Sequence, residues 1–344
     1  MQRLSGSRCC GPELQWPPII ERFVVHALIT SSIGNYVLRE LVAIFASARK
    51  TAKGSQEESA NQQMAISFKS RPGLVAYITC GDPDLATTKE IILSAIDSGV
   101  DVVELGVPFS DPVADGPVIQ RACERALRNG TTLRDVLKLA REVRAQKPSV
   151  ALIIFSYLNP ILRFGLEGFC AAAAAAGVDG ALVTDLPVEE AHDYLAHMRR
   201  RELATIFLAA PTSTDQRLKR IAEVSTGFLY AVSRTGVTGT RQELATDARR
   251  LVKRLRRYTK LPIAVGFGIS TAEQVQEVAQ FADAAVVGSA IVQAVENAAS
   301  PGRGPRHALR DGVEGSAPQA VAELVKQLSA FSSRLSAASS AAPK

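Results

Sequence analysis

Asp101-Val102-Val103-Glu104-Leu105-Gly106-Val107-Pro108-Phe109-Ser110-Asp111-Pro112-Val113-Ala114-Asp115-Gly116-Pro117 is the stretch whose reading decides the fold. It reads as a short strand, 101–106, that carries a carboxylate at Glu104 and runs into a loop with two further acids, Asp111 and Asp115, and prolines at 108, 112 and 117. In a barrel of alternating parallel strands and helices, catalytic side chains sit at the C-terminal ends of strands. Taken alone, the pair Glu104 and Asp115 is ordinary, because turns recruit acids as caps and solvated charges.

The strand–helix unit recurs on both sides of this stretch. Upstream, strand 74–79 turns at Gly81-Asp82-Pro83 into a helix with a Thr87-Thr88-Lys89-Glu90 capping box and a stop at Gly99. Strand 101–106 is followed by helices over 118–128 and 132–145. Downstream come strand 150–156 with helix 166–176, strand 180–184 with helix 189–201, and strand 204–209 with a helix opened by Ser213-Thr214-Asp215-Gln216. Strand 227–232 then precedes helix 242–258, strand 262–266 precedes a helix opened by Ser270-Thr271-Ala272-Glu273, and strand 284–287 ends the series. Each strand is a near-continuous Val/Ile/Ala/Leu run, which a parallel sheet covered on its outside requires. The expected fold class is α/β, an eight-stranded parallel (β/α)8 TIM barrel, with a doubly wound open sheet as the rival that periodicity leaves open.

Glycines help to choose. Gly266-Phe267-Gly268-Ile269-Ser270 follows the seventh strand, and Gly288-Ser289-Ala290 follows the eighth and opens a short helix. These are the two loops where barrels commonly hold a phosphate on backbone N–H groups and a helix N-terminus. Either glycine pair alone also reads as a tight turn; both together favour a phosphorylated substrate. The sixth loop, Ser233-Arg234-Thr235-Gly236-Val237-Thr238-Gly239-Thr240, is polar and glycine-bearing, and suits a lid at the catalytic end as well as an ordinary connection.

The whole chain has 344 residues, 47% hydrophobic and 22% charged, enough for one barrel plus extensions. A net charge of +6 is spread along it without a basic block interleaved with aromatics, so nucleic-acid binding is not expected. Cysteines at 9, 10, 80, 123 and 170 lack C-x-x-C spacing and histidines at 26, 192, 197 and 307 lack ligand spacing, which argues against a disulfide framework or a metal site and fits a reducing cytoplasm. Residues 1–63 form an extension of different composition. Its longest uncharged part, 23–38, falls short of the roughly 20 apolar residues of a membrane span, and it has no signal-peptide layout. Met64 is an alternative start, which would make 1–63 a translation of upstream sequence. The barrel domain is expected over 64–336, with a Gly/Pro/Arg/Ser-rich flexible insertion at 298–318 before a last helix at 319–335, and a disordered tail at 337–344.

The order E-L-G-V-P-F-S-D-P-x-A-D-G-P closely resembles the signature of the tryptophan synthase alpha subunit family. The resemblance runs from Leu74 to Asn297 and includes Y-I-T-C-G-D-P at 77–83, S-Y-L-N-P-I at 156–161, T-D-L-P-V-E-E at 184–190, Y-A-V-S-R-T-G-V-T-G at 230–239, G-F-G-I-S at 266–270 and G-S-A-I-V at 288–292. It implies retro-aldol cleavage of indole-3-glycerol phosphate to indole and glyceraldehyde 3-phosphate. Glu104 would be the general acid and base, Asp115 the second acid beside the indole N–H, and Tyr230 the active-site tyrosine. Tyr77 and Tyr157 would pack on the indole, and Phe267 lies within the phosphate loop. Gly239, Gly268, Gly288 and Ser289 would hold the phosphate, while Arg234 and Thr238 would order the lid. No cofactor is implied for this chain. Pyridoxal phosphate is expected in a partner beta subunit, joined as an α2β2 heterotetramer through a surface that includes Pro108, Asp111 and Asn159. A free-standing lyase, or a chain acting mainly as allosteric partner of the beta subunit, are the alternatives.

Lysines near strands, Lys69, Lys147 and Lys260, precede their strands and so lie at the wrong end for a Schiff-base aldolase. The family's short N-terminal helix is represented here only by 64–70 or by something within 1–63.

Overall fold

The structure is a computed structural model that describes residues 64–69, 72–232, 241–266, 268–299 and 316–329, with the backbone alone at 241–245. Its strands are β1 (Gly73–Thr79), β2 (Val102–Gly106), β3 (Ala151–Ser156), β4 (Gly180–Val183), β5 (Ala204–Ile206), β6 (Leu208–Ala209), β7 (Leu229–Val232), β8 (Ile263–Gly266) and β9 (Ala284–Val287). The helices are α1 (Leu85–Asp97), α2 (Pro117–Arg128), α3 (Leu133–Gln146), α4 (Leu158–Phe164), α5 (Leu166–Ala175), α6 (His192–Arg200), α7 (Asp215–Val224), α8 (Arg241–Leu255), α9 (Ala272–Ala279), α10 (Ser289–Ala299) and α11 (Ala317–Ser329).

Every strand pairing is parallel, in the order β5-β4-β3-β2-β1-β9-β8-β7-β6. β5 and β6 are the two halves of the expected fifth strand, 204–209, interrupted at Phe207. The first half pairs with β4 and the second with β7, so the chain itself closes the barrel. An open sheet would leave two separate edges; here the two edges are one strand.

Strand alternation divides the apolar side chains in two. Val75, Val102, Ile153, Leu182, Ile206, Phe228 and Val286 fill the barrel. Alternate residues such as Ala76, Ile78, Val103, Leu105, Leu152 and Ile154 face the helices in the larger core. The bottom is covered by 64–69, which is not helical; the other expected place for the family's N-terminal helix, within 1–63, lies outside the described residues. Ile66 and Phe68 pack with the residues that fill the barrel, Ile66 N donates to Gly227 O at 3.1 Å, and the Phe68 ring meets Phe228 edge-on at 6.0 Å.

One device recurs around this rim. Asp101, Asp179, Thr226 and Asp283 each stand just before or near the start of a strand and grip one residue of the neighbouring strand twice. Leu74 N donates to Asp101 Oδ2 at 2.9 Å while Asp101 N donates to Leu74 O at 2.9 Å. The same reciprocal pair joins Leu152 with Asp179 (2.7 and 2.9 Å), Thr205 with Thr226 (2.9 and 3.0 Å) and Ile263 with Asp283 (2.8 and 3.0 Å). The gripped residue is the second of its strand in β1, β3 and β5 and the first in β8, and in each the side chain satisfies its N–H.

Some expected helix ends move. The N-cap of α1 is Asp84, whose carboxylate accepts from Thr87 N at 2.8 Å, so the Thr87-Thr88-Lys89-Glu90 box lies inside the helix. α6 starts at His192 rather than 189, because a turn from Pro187 O to Glu190 N occupies the approach. α4 was not anticipated; Pro160 sits in its first turn, where a missing N–H costs nothing. α10 extends to Ala299 and α11 begins at Ala317, so both margins of the 298–318 insertion are helical. Residues 1–63, 300–315 and 330–344 lie outside the described residues.

Asp101→Ala removes the acceptor for both Leu74 N and Lys69 N. It is expected to lower the free energy of urea unfolding by about 1–3 kcal/mol. A loss below about 0.5 kcal/mol would show that the rim grip contributes nothing.

Candidate active site

Glu104 is the third residue of β2, opposite Tyr77 of β1 and Ile153 of β3. Alternation turns it into the barrel at the catalytic end, where it is 1% exposed. Its Oε1 has no hydrogen-bond partner among the described residues. Burial without a compensating donor raises its pKa from 4.5 to about 8, so the carboxyl is mostly protonated at neutral pH.

Asp115 sits in the loop before α2 in a different environment. Burial raises it to about 6, and a hydrogen bond from the Tyr157 hydroxyl, 2.9 Å to Oδ2, works in the opposite direction. The same hydroxyl accepts from Ala114 N at 2.9 Å. Tyr157 is 3% exposed and its ring packs on Phe109 with centroids 5.0 Å apart. It therefore holds the second acid, a part that its expected place against the indole did not suggest.

Tyr77 and Tyr230 face the same end of the barrel. Burial, then the negative charges of Glu104 and Asp115, drives the Tyr230 hydroxyl well above its ordinary pKa, which keeps it a neutral donor. Both rings lie across neighbouring glycines. A Cβ on Gly266 would meet the Tyr230 hydroxyl at 2.2 Å, one on Gly106 would meet the Tyr77 hydroxyl at 2.5 Å, and one on Gly288 would touch Tyr77 Cβ at 3.4 Å. The glycines that end β2 and β8 and follow β9 make room for the tyrosines.

Two further residues line the mouth and were not singled out from sequence. Phe155 on β3 meets Tyr77 edge-on at 4.9 Å, and Leu208 lies on β6 beside Tyr230 of β7; both are partly exposed at the top of the barrel filling. Counting two residues on from the buried, inward Ile153 and Ile206 would have found them.

At the expected phosphate loops, Gly268 adopts φ +72°, a conformation that favours glycine. α10 opens at an exposed Ser289, and its own ladder begins with Val292 N to Gly288 O at 3.1 Å. The N–H groups of Ser289, Ala290 and Ile291 point out of the helix end unclaimed by that ladder. Arg234, Thr238, Gly239 and Phe267 lie outside the described residues. Of the expected partner-facing residues, Asp111 and Asn159 are exposed, while Pro108 is buried in the wall of a groove of about 410 Å³ shared with Asn159, Phe109, Arg134, Arg163 and Phe164. Among the described residues no lysine is buried, and no helix is long and apolar enough to cross a membrane.

The family model of the tryptophan synthase alpha chain matches residues 64–329. The chain belongs to the tryptophan synthase alpha chain family. It is 53% identical over 228 residues to the tryptophan synthase alpha chain of Solibacter usitatus, covering 66% of this chain and 85% of that one. To the alpha chain of Burkholderia pseudomallei it is 46% identical over 239 residues, covering 70% and 88%. Among solved structures, the alpha chain of Legionella pneumophila superposes with a TM-score of 0.68 at 34% identity, covering 77% and 93%, and a Mycobacterium tuberculosis tryptophan synthase with 0.66 at 34%, covering 80% and 94%. With the family come its eight-stranded barrel, its role as alpha subunit in tryptophan biosynthesis and its carbon–carbon lyase reaction on indole-3-glycerol phosphate.

Tyr157→Phe removes the hydrogen bond that lowers the pKa of Asp115. The acidic limb of kcat/KM is therefore expected to move to higher pH, with kcat at its optimum falling by about 10- to 100-fold as the acid loses its anchor. An acidic limb that stays in place would show that Asp115 does not set it.

Proposed function

We propose that Glu104 and Asp115 divide the cleavage of indole-3-glycerol phosphate between them. Glu104 starts protonated and gives its proton to ring carbon C3, which turns the indole into an electron sink. Its carboxylate then takes the proton of the adjacent side-chain hydroxyl while the bond between C3 and the side chain breaks. The bonding pair returns to the ring, the hydroxyl carbon becomes an aldehyde, and Glu104 ends protonated. The products are indole and glyceraldehyde 3-phosphate.

Asp115 stays ionised and stabilises the positive charge that grows at the ring N–H. Tyr230 supplies a neutral hydroxyl beside the first acid; Tyr77, Phe155 and Leu208 offer the apolar walls for the ring. The phosphate binds at Gly268, Gly288 and Ser289, joined by Gly239 and by a lid ordered through Arg234 and Thr238.

The observation that carries this reading is the unpaired, buried Oε1 of Glu104. Native proteins rarely leave a buried polar atom unsatisfied, and an acid left so at the catalytic end of a barrel fits a group whose partner is the substrate. The pKa values of about 8 and about 6 then give two carboxyl groups opposite charge states near pH 7, as an acid and an electrostatic stabiliser need.

The beta subunit is the proposed partner, as an α2β2 assembly in the cytoplasm, with pyridoxal phosphate held by the beta chain and none in this one. Val113, 86% exposed in the acid loop, and Leu162, 55% exposed on α4, lie in the same segments as Asp111 and Asn159 and give that surface an apolar component. The rival readings, a free-standing lyase and a chain serving mainly as allosteric partner, are separated by adding the beta subunit.

Indole release by purified protein tests the assignment, with wild type and Glu104→Gln each measured alone and with a beta subunit. The variant is expected to lose at least about 1,000-fold in kcat, and the partner to stimulate wild type. For wild type alone, kcat/KM is expected to rise as Asp115 ionises through pH about 6 and to fall as Glu104 ionises through about 8. A Glu104→Gln variant with unchanged turnover would sink the mechanism, and fast unstimulated turnover would indicate a free-standing lyase.

A further inference from the structure

Among the described residues outside the reacting groups, a charged cluster at the catalytic end centres on Arg125 of α2. Its Nε and Nη2 donate to Asp82 Oδ1 and Oδ2, both at 2.8 Å, and its Nη1 donates to Glu296 Oε1 at 2.7 Å. Glu296, on α10, is gripped a second time by Arg121 of α2, through Nε to Oε1 at 2.8 Å and Nη2 to Oε2 at 2.6 Å. Gln293 Nε2 adds 2.9 Å to Glu296 Oε2. Asp82, 3% exposed, belongs to the loop that follows β1.

The three segments joined here share one property. α2 continues directly from the loop of Asp115, α10 opens with Gly288-Ser289 at the phosphate end, and β1 supplies Tyr77. Between them lies a small apolar layer in which Ala122 of α2 and Val292 of α10 pack with Tyr77, flanked by Val118, Ile119 and Phe155. The apolar layer fixes how close the two helices come. It does not fix their relative slide, because apolar contact is non-directional. The forked pair of Arg121 with Glu296 does, since a fork requires the planes of both groups to match. Arg125, itself forked onto Asp82, adds a single bond to Glu296 and ties both helices to the loop after β1.

Resting on the reading of α10 as the phosphate end, we infer that Arg125, with Arg121 and Glu296, is a positioning device that registers the Asp115 loop against the bound phosphate. Substrate phosphate at the N-terminus of α10 then orders α2, and through it places Asp115 at the other end of the same substrate. Binding energy taken up at the non-reacting end is thereby used at the reacting one. The half-exposed Arg121 and the partly exposed Arg125 give these pairs modest value for stability and high value for geometry.

Hydrogen exchange of the full-length chain, with and without inorganic phosphate, tests this without reference to turnover. In wild type, phosphate is expected to slow exchange at 288–292 and also at 113–121. In Glu296→Gln and Arg125→Lys, which keep size or charge but lose a forked pair, protection at 288–292 is expected to remain and protection at 113–121 to fall by about tenfold. The same variants are expected to lose about tenfold in kcat while inorganic phosphate binds within about twofold of wild type. If wild type is protected at 288–292 alone, or the variants respond as wild type does, the inference is wrong and the proposed function stands. If wild type shows no protection at 288–292, the phosphate-site reading falls and the inference falls with it.

Discussion

A carboxyl group buried inside an apolar barrel, with no hydrogen-bond partner among the described residues, is the constraint on which the rest of this structure depends. Raising Glu104 from 4.5 to about 8 corresponds to roughly 5 kcal/mol of differential solvation between its two charge states. The sign follows from linkage. Between those two values the folded chain binds more protons than the unfolded one, so this group's contribution is fully favourable below pH 4.5 and is lost as pH rises through about 8. A domain with a net stability of order 10 kcal/mol tolerates such a group only if the remainder of the barrel is well made.

That remainder is concentrated at the opposite end. The filling of Val75, Val102, Ile153, Leu182 and Phe228 is closed from below by Ile66 and Phe68. The reciprocal grips of Asp101, Asp179, Thr226 and Asp283 satisfy strand N–H groups that would otherwise face the closed rim. Stability is made where nothing reacts, and the top layer is left to Glu104, the tyrosines and the glycines that accommodate them. Gly106 and Gly266 illustrate the exchange: each gives up side-chain packing so that a ring can cross its strand.

Much of this was legible in the sequence because the signals were local. Eight apolar runs gave the strands, and the expected helix openings at 132, 213 and 270 lie within one residue of the caps Thr132, Thr214 and Thr271. Glu104 and Asp115 stood out as acids in a strand and a proline-rich loop. What escaped depended on neighbours distant in sequence. The fifth strand is split because its halves pair with different strands, which no run of residues encodes. Tyr157 was legible as an aromatic but not as the hydroxyl that holds Asp115, 42 positions away. Asp101, Asp179 and Asp283 are isolated acids along the sequence, and their common grip appears only when adjacent strands are seen together. Nothing local in the sequence links Arg125 with Glu296, 171 positions apart.

The two acids reach their opposite charge states by unequal means, and the difference bears on how the site is kept in order. Glu104 is fixed by its strand: β1 and β3 flank it, and no side-chain bond is needed to place it. Asp115 has no ladder. It is held by the Tyr157 hydroxyl, by its own N–H to Pro112 O at 3.0 Å, and by Gln120 Nε2 to its carbonyl at 2.9 Å. Gln120 lies in the first turn of α2, so the helix that follows the loop also restrains it. A rigid acid and an adjustable one suit a reaction in which the proton donor must find one carbon while the counter-charge must follow a developing cation. The adjustable one inherits its precision from whatever holds α2.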